Sequence, residues 1–89
     1  MRKRFFVYVL ATSRGGQVRT YVGWTNDIDA RLAKHNSARG AKFTRGAVWT
    51  LFYAERLKSR VGAMRREWAL KHDRTFRDTL RACARDALA

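Results

Sequence analysis

Residues 5–12 carry Phe5, Val7 and Val9 on one alternating face and Phe6, Tyr8 and Leu10 on the other. With no polar face between them, this segment reads as a strand covered on both sides. Ser13-Arg14-Gly15-Gly16 supplies turn chemistry and residues 17–24 return as a second strand, which predicts an antiparallel hairpin. If Gly15-Gly16 is the two-residue loop, Tyr8 faces Gly23 and lies diagonal to Tyr21 on the same face, with backbones about 7–8 Å apart. Thr25 or Asn26 is placed to cap a helix from near Asp27 to about Ser37, with Asp27 and Asp29 at the positive end of its dipole. Residues 37–46 form a polar, glycine-bracketed loop bearing Arg39, Lys42 and Arg45, and residues 48–54 make a third strand. Ser59 caps a second helix to about Lys71, and Thr75-Phe76-Arg77-Asp78 has the form of a capping box opening a last helix to about Ala87. The order is ββαβαα, an α+β chain with no repeat or low-complexity tract.

The chain has 89 residues, with 20 Lys+Arg against 7 Asp+Glu, a formal net charge of +13. At that length a chain buries only about 60–65% of its unfolded surface, so residues 1–89 are expected to form a single domain around one core. The hydrophobic content of 46% is enough for that core and argues against a disordered basic tail. Cys83 is the single cysteine; one thiol builds neither a disulfide framework nor a zinc site, so a reducing, cytoplasmic setting is expected, with Cys83 as a small buried residue. The longest apolar run, residues 5–11, is far short of the roughly 20 residues of a membrane span. Arg2-Lys3-Arg4 before it imitates the start of a secretory signal, but Tyr8 inside the run and Arg14 after it speak against one. Such a cation seeks a polyanion, and counterion release on phosphate neutralisation makes nucleic acid the first candidate, ahead of an acidic membrane surface.

On the first helix, Ile28 and Leu32 define a core stripe, and Arg31 and His35 fall on the same side. Arg31 therefore points toward the sheet edge. On the second helix, Leu57, Val61, Ala63, Met64, Trp68 and Leu70 span an apolar arc that contains Glu67. A carboxylate there must be paired or bind a cation, since an uncompensated buried charge costs several kcal/mol. Two readings stay open: a structural ion pair with an arginine, or a site for phosphodiester hydrolysis. In the second, Glu67 holds a hard divalent cation, Arg31 stabilises charge on phosphoryl oxygens, and a phenol or His35 relays the proton of the attacking water.

The order Phe6-Val7-Tyr8, Tyr21-Val22-Gly23, Arg31, Glu67 resembles the GIY-YIG nuclease domain over about residues 4–80. Through Tyr21-Val22-Gly23-Trp24-Thr25, Arg31-Leu32-Ala33-Lys34-His35-Asn36 and Arg66-Glu67-Trp68-Ala69-Leu70-Lys71-His72 it is similar to small stand-alone bacterial members. The same segments resemble the nuclease subunit of structure-selective endonucleases. The resemblance implies a three-stranded antiparallel sheet with the first strand central, flanked by helices. It also implies that Tyr21 or Tyr8 helps activate the water, that Arg31 contacts the scissile phosphate and that His35 assists. Glu67 would be the sole protein ligand of one Mg²⁺ or Mn²⁺. The chain departs from the pattern with Phe6 in place of the name-giving Gly, and with Trp24 where several relatives place a lysine. No Asn follows Asn36 to match the late asparagine of some relatives.

Among the remaining residues, Trp24 at a strand end beside the site is the candidate for base stacking, whereas Trp49 and Trp68 sit at core periodicity. Arg39, Lys42 and Arg45 suit phosphate positioning without sequence readout. Glu55 reads as a solvated partner of Arg56 or Lys58, and His72 falls in the last turn of its helix, where a cation is favourable. The functional expectation is a divalent-metal-dependent endonuclease acting on DNA rather than RNA, single-stranded or branched. Its rivals are a non-catalytic nucleic-acid-binding module and a subunit of a DNA repair or recombination complex whose partner supplies further DNA contacts.

Overall fold

In the computed structural model, which describes residues 4–37 and 46–88, the hairpin forms as the glycines require. Gly15 and Gly16 adopt φ of +59° and +80°, the paired left-handed conformations that join two strands without splaying them. Strand β1 (Phe5–Arg14) pairs antiparallel with β2 (Gln17–Thr25), and Tyr8 faces Gly23. Strand β3 (Thr50–Leu57) adds to the other side of β1, giving the order β2-β1-β3 with an irregularity between Val9 and Leu10. The first strand is central, as its two apolar faces require. Helices α1 (Ile28–His35), α2 (Arg60–Lys71) and α3 (Arg74–Leu88) complete an α+β order of ββαβαα.

The two faces of β1 carry separate halves of the core. Val7 and Val9, with Val22, Ala63 and Leu70, form one cluster, against which Trp24, Tyr53, Phe76 and Leu80 pack. Tyr8 and Leu10 form the other with Trp49, packed by Tyr21 and Leu32. Helices α2 and α3 thus share one face and α1 covers the opposite one. No described helix is long and apolar enough to cross a membrane.

Several local expectations change. Asp27, not Thr25 or Asn26, caps α1, its Oδ1 accepting from Ala30 N–H at 3.0 Å, while Thr25 Oγ1 accepts from Asp27 N–H at 3.1 Å. Asp73 likewise accepts from Phe76 N–H at 3.0 Å and caps α3, so Thr75 lies inside the helix rather than at its start. In both cases a carboxylate at the positive helix end does the capping. Ser59 caps α2 as expected, accepting from Gly62 N–H at 2.9 Å.

Strand β3 begins later than residue 48 because its first backbone groups are already engaged. Asn36 receives Trp49 N–H at 2.7 Å and donates to Trp49 C=O at 3.1 Å, while Thr12 donates to Val48 C=O at 2.7 Å. The broad apolar arc expected on α2 is not buried. Phe76, Leu80 and Ala84 of α3 occupy much of the shared sheet face, so α2 presents only Ala63 and Leu70 to it and leaves Val61, Met64 and Trp68 exposed. Trp68 is therefore not a core residue. Cys83 is exposed as well, since the adjacent Ala84 takes the buried position on α3. Arg39, Lys42 and Arg45 lie outside the described residues.

Candidate active site

Since α1 and α2 cover opposite faces of the sheet, their side chains meet where the sheet ends, at the edge strand β2. An open cleft of about 310 Å³ lies there, lined by Tyr21, Trp24 and Asn26 at the end of β2, Arg31 of α1 and Glu67 of α2. Gly23 and Thr25 complete the wall. Two charges that are far apart in the chain, and of opposite sign, thus share one concavity.

Tyr8 lies under this wall rather than in it. Its side chain is 2% exposed, and its ring covers Gly23, where an added Cβ would collide with the phenol oxygen and stand 2.6 Å from Cζ. Only glycine fits opposite Tyr8. The Tyr8 hydroxyl meets His35 Nε2 at 3.0 Å, with Tyr21 close by: its ring centroid is 6.4 Å from that of Tyr8 and 4.8 Å from that of His35. The expected diagonal of two phenols is therefore present, with a histidine joined to it.

Burial raises the pKa of the Tyr8 phenol above 10.0, an effect the adjacent Arg31 guanidinium opposes and the nearby Tyr21 and Glu67 reinforce. Tyr8 therefore keeps its proton at neutral pH. His35 is 1% exposed, on the core side of α1 where its spacing from Ile28 places it. Burial, followed by the charges of Arg31 and Lys34, holds it below the usual 6.5, so the ring is neutral at pH 7. In the tautomer with Nε2 unprotonated, that nitrogen accepts the hydrogen bond that Tyr8 donates. That arrangement sets a pH dependence. The unfolded chain protonates its histidine at higher pH than the folded one, so stability falls as pH drops below about 6.5 and levels off below the folded value. Denaturant midpoints measured across this range should show the step, and His35→Gln should flatten it.

Arg31 is half-buried at the cleft, and its Nε is buried without a hydrogen-bond partner. Such an orphan donor costs about 1–3 kcal/mol. Glu67 is not its partner: the carboxylate instead accepts from Lys71 Nζ at 3.2 Å, one turn along α2. The structural Arg31–Glu67 pair is therefore absent among the described residues. Trp24 lines the cleft with Arg60 5.4 Å above its ring.

The donor set limits what cation the cleft can hold. No group of three or more His, Cys, Asp or Glu side chains capable of binding a metal occurs among the described residues, so a zinc-type cage does not fit. One carboxylate in an open polar cleft suits a hard cation that keeps its waters and takes further oxygens from phosphate. Glu55 is not a second ligand, nor a partner of Arg56 or Lys58. It accepts from Arg66 Nε at 2.9 Å and from the Tyr53 hydroxyl at 2.6 Å, because Tyr53 and Glu55 alternate onto the face of β3 that meets α2. This network ties α2 to the sheet beside Glu67. Spacing puts His35 on the core side of α1, but neither its contact with the Tyr8 hydroxyl nor the Asn36 clamp on Trp49 has a local sequence signal, since both join residues distant in the chain.

The family model for the GIY-YIG catalytic domain matches residues 4–78. A UPF0213 protein of Halobacterium salinarum is 44% identical over 66 residues, covering 73% of this chain and 82% of its own. A UPF0213 protein of Streptococcus sanguinis is 39% identical over 72 residues, covering 80% of this chain and 79% of its own. One from Halalkalibacterium halodurans is 40% identical over 68 residues, covering 75% and 69% respectively. No solved structure gives a significant match.

Proposed function

The chain belongs to the GIY-YIG catalytic-domain family, and from that premise we propose that it is a divalent-metal-dependent endonuclease hydrolysing phosphodiester bonds in DNA. One observation carries the reading: a guanidinium and a carboxylate, not paired to each other, line the same cleft beside Tyr21. A protein of net charge +13 brings the phosphate backbone to that cleft without reading its sequence.

In the mechanism this supports, Arg31 grips the non-bridging oxygens of the scissile phosphate and offsets the charge that builds on them. Tyr21, open to the cleft, orients the attacking water. As the water oxygen bonds to phosphorus and the bond to the leaving oxygen breaks, the water proton passes to the phenol pair, with neutral His35 Nε2 as acceptor behind Tyr8. Solvent returns a proton to the leaving oxygen. Glu67 would hold one Mg²⁺ or Mn²⁺, which when bound supplies Lewis-acid stabilisation of the phosphoryl and leaving oxygens. Tyr8, buried behind Gly23, touches no substrate and relays that proton between Tyr21 and His35.

Incubation of the protein with labelled single-stranded, duplex and branched DNA and an RNA strand, in Mg²⁺, Mn²⁺ or EDTA, tests this reading. Cleavage of DNA that EDTA stops is the expected outcome. Salt-sensitive binding to every substrate with no cleavage in either metal would replace the nuclease with a nucleic-acid-binding module.

A further inference from the structure

Helix α2 presents a second chemical surface beside Glu67. At about 100° per residue, Val61, Met64, Arg65, Trp68 and His72 fall along one outward strip, and Glu67 flanks it on the side of the cleft. Val61 is 57% exposed, Met64 50% and Trp68 64%. Three large apolar side chains exposed along one strip are a surface suited to a partner. The indole is also held in place: the His72 ring stacks on it at 4.1 Å and 26°, and His72 Nδ1 lies 2.7 Å from the Trp68 carbonyl oxygen. A flat aromatic surface, fixed on one side and largely open to solvent, is therefore carried by α2 one residue from Glu67 of the cleft wall.

We propose that Trp68, backed by His72, is a stacking platform for an unpaired base of the DNA strand whose phosphate occupies the Arg31–Glu67 cleft. This inference rests on the reading of that cleft as a nucleic-acid site and adds to it a preference for unpaired DNA. Charge selects the occupant. Arg65 lies within the strip and the chain carries a net +13, so a polyanion is attracted, whereas a second copy of the chain is repelled. The bases of a duplex are already stacked on one another, and only an unpaired base offers its face to the indole. Stacking is sequence-tolerant because every base has a π-face.

The test is binding of a labelled single strand and the matching blunt duplex in EDTA, by anisotropy, to the parent, Trp68→Ala, Trp68→Phe and His72→Ala proteins. Trp68→Ala should weaken single-strand binding by about five- to a hundredfold and leave duplex binding unchanged, since one base stack is lost. Trp68→Phe should keep most of the affinity, and His72→Ala should lose part of it. Indole emission should be quenched by the single strand in the parent and much less in Trp68→Phe, which retains Trp24 and Trp49. Equal single-strand affinity in parent and Trp68→Ala overturns the platform, as does an equal loss on both substrates or a parent that binds no DNA. A parent dimer dispersed by Trp68→Ala in sedimentation also overturns it. Cleavage is scored separately with metal. A parent that binds through Trp68 but never cuts defeats the nuclease reading alone, and a cutting parent with an indifferent Trp68 defeats the platform alone.

Discussion

Glu67→Gln is expected to lower metal-dependent cleavage by at least about a thousandfold and to leave the melting temperature close to that of the parent. The first half follows from charge. Lewis-acid stabilisation at a phosphoryl group supplies several kcal/mol, each 1.36 kcal/mol being about tenfold in rate, and a neutral amide as the one side-chain ligand holds a hard divalent cation far more weakly than a carboxylate. The second half follows from the contacts of Glu67. Its ion pair is the Lys71 contact one helical turn away, with both side chains partly exposed, and pairs of this kind contribute only about 0.3–0.5 kcal/mol. Glutamine keeps the shape and an oxygen for Lys71. A buried structural pair would behave in the opposite way, with a stability loss of about 3 kcal/mol and no specific effect on cleavage. Parallel melting and cleavage measurements on the one variant separate the two, and retained cleavage would remove Glu67 from the metal site.

The parts of this architecture that the sequence discloses are those set by local rules. Two apolar faces on residues 5–12 place β1 at the centre, and adjacent glycines fix the hairpin register that sets Tyr8 opposite Gly23. From that register the diagonal to Tyr21 follows, and helical spacing then brings Arg31 and His35 to the same side. The family motifs add Glu67. What eludes the sequence is decided by competition between elements. The apolar arc on α2 is real as a pattern, but α3 fills much of the sheet face it would need, and three large side chains stay outside. Periodicity measures which residues share a face, not whether anything covers it. Similarly, β3 starts late because Asn36, distant in sequence, takes the backbone groups of Trp49. The depth of His35 depends on the Tyr8 hydroxyl reaching it across 27 positions. Each of these is a long-range contact with no local signature.

Arg31→Ala should reduce cleavage by about 10²–10³-fold, the loss typical when one preorganised donor to a developing oxyanion is removed. It should not unfold the protein. Deleting Arg31 removes a buried Nε that has no partner, so the usual penalty for truncating a half-buried side chain is offset by release of an unsatisfied donor. Arg31→Lys is the sharper probe, because lysine restores the charge as a point without the planar fork that binds two phosphoryl oxygens. If the fork matters, lysine recovers DNA affinity but little of the turnover rate. If only charge matters, both recover together. The alanine variant carries a second signature, because Arg31 is among the charges that hold His35 below its usual pKa. Without it, His35 protonates at higher pH and Nε2 stops accepting from Tyr8 sooner. The acid limb of the residual cleavage therefore moves toward pH 6.5, whereas in Arg31→Lys it stays near its parental position. A pH–rate profile of the three proteins reads this shift directly, and an unmoved acid limb in Arg31→Ala would detach His35 from the reacting centre.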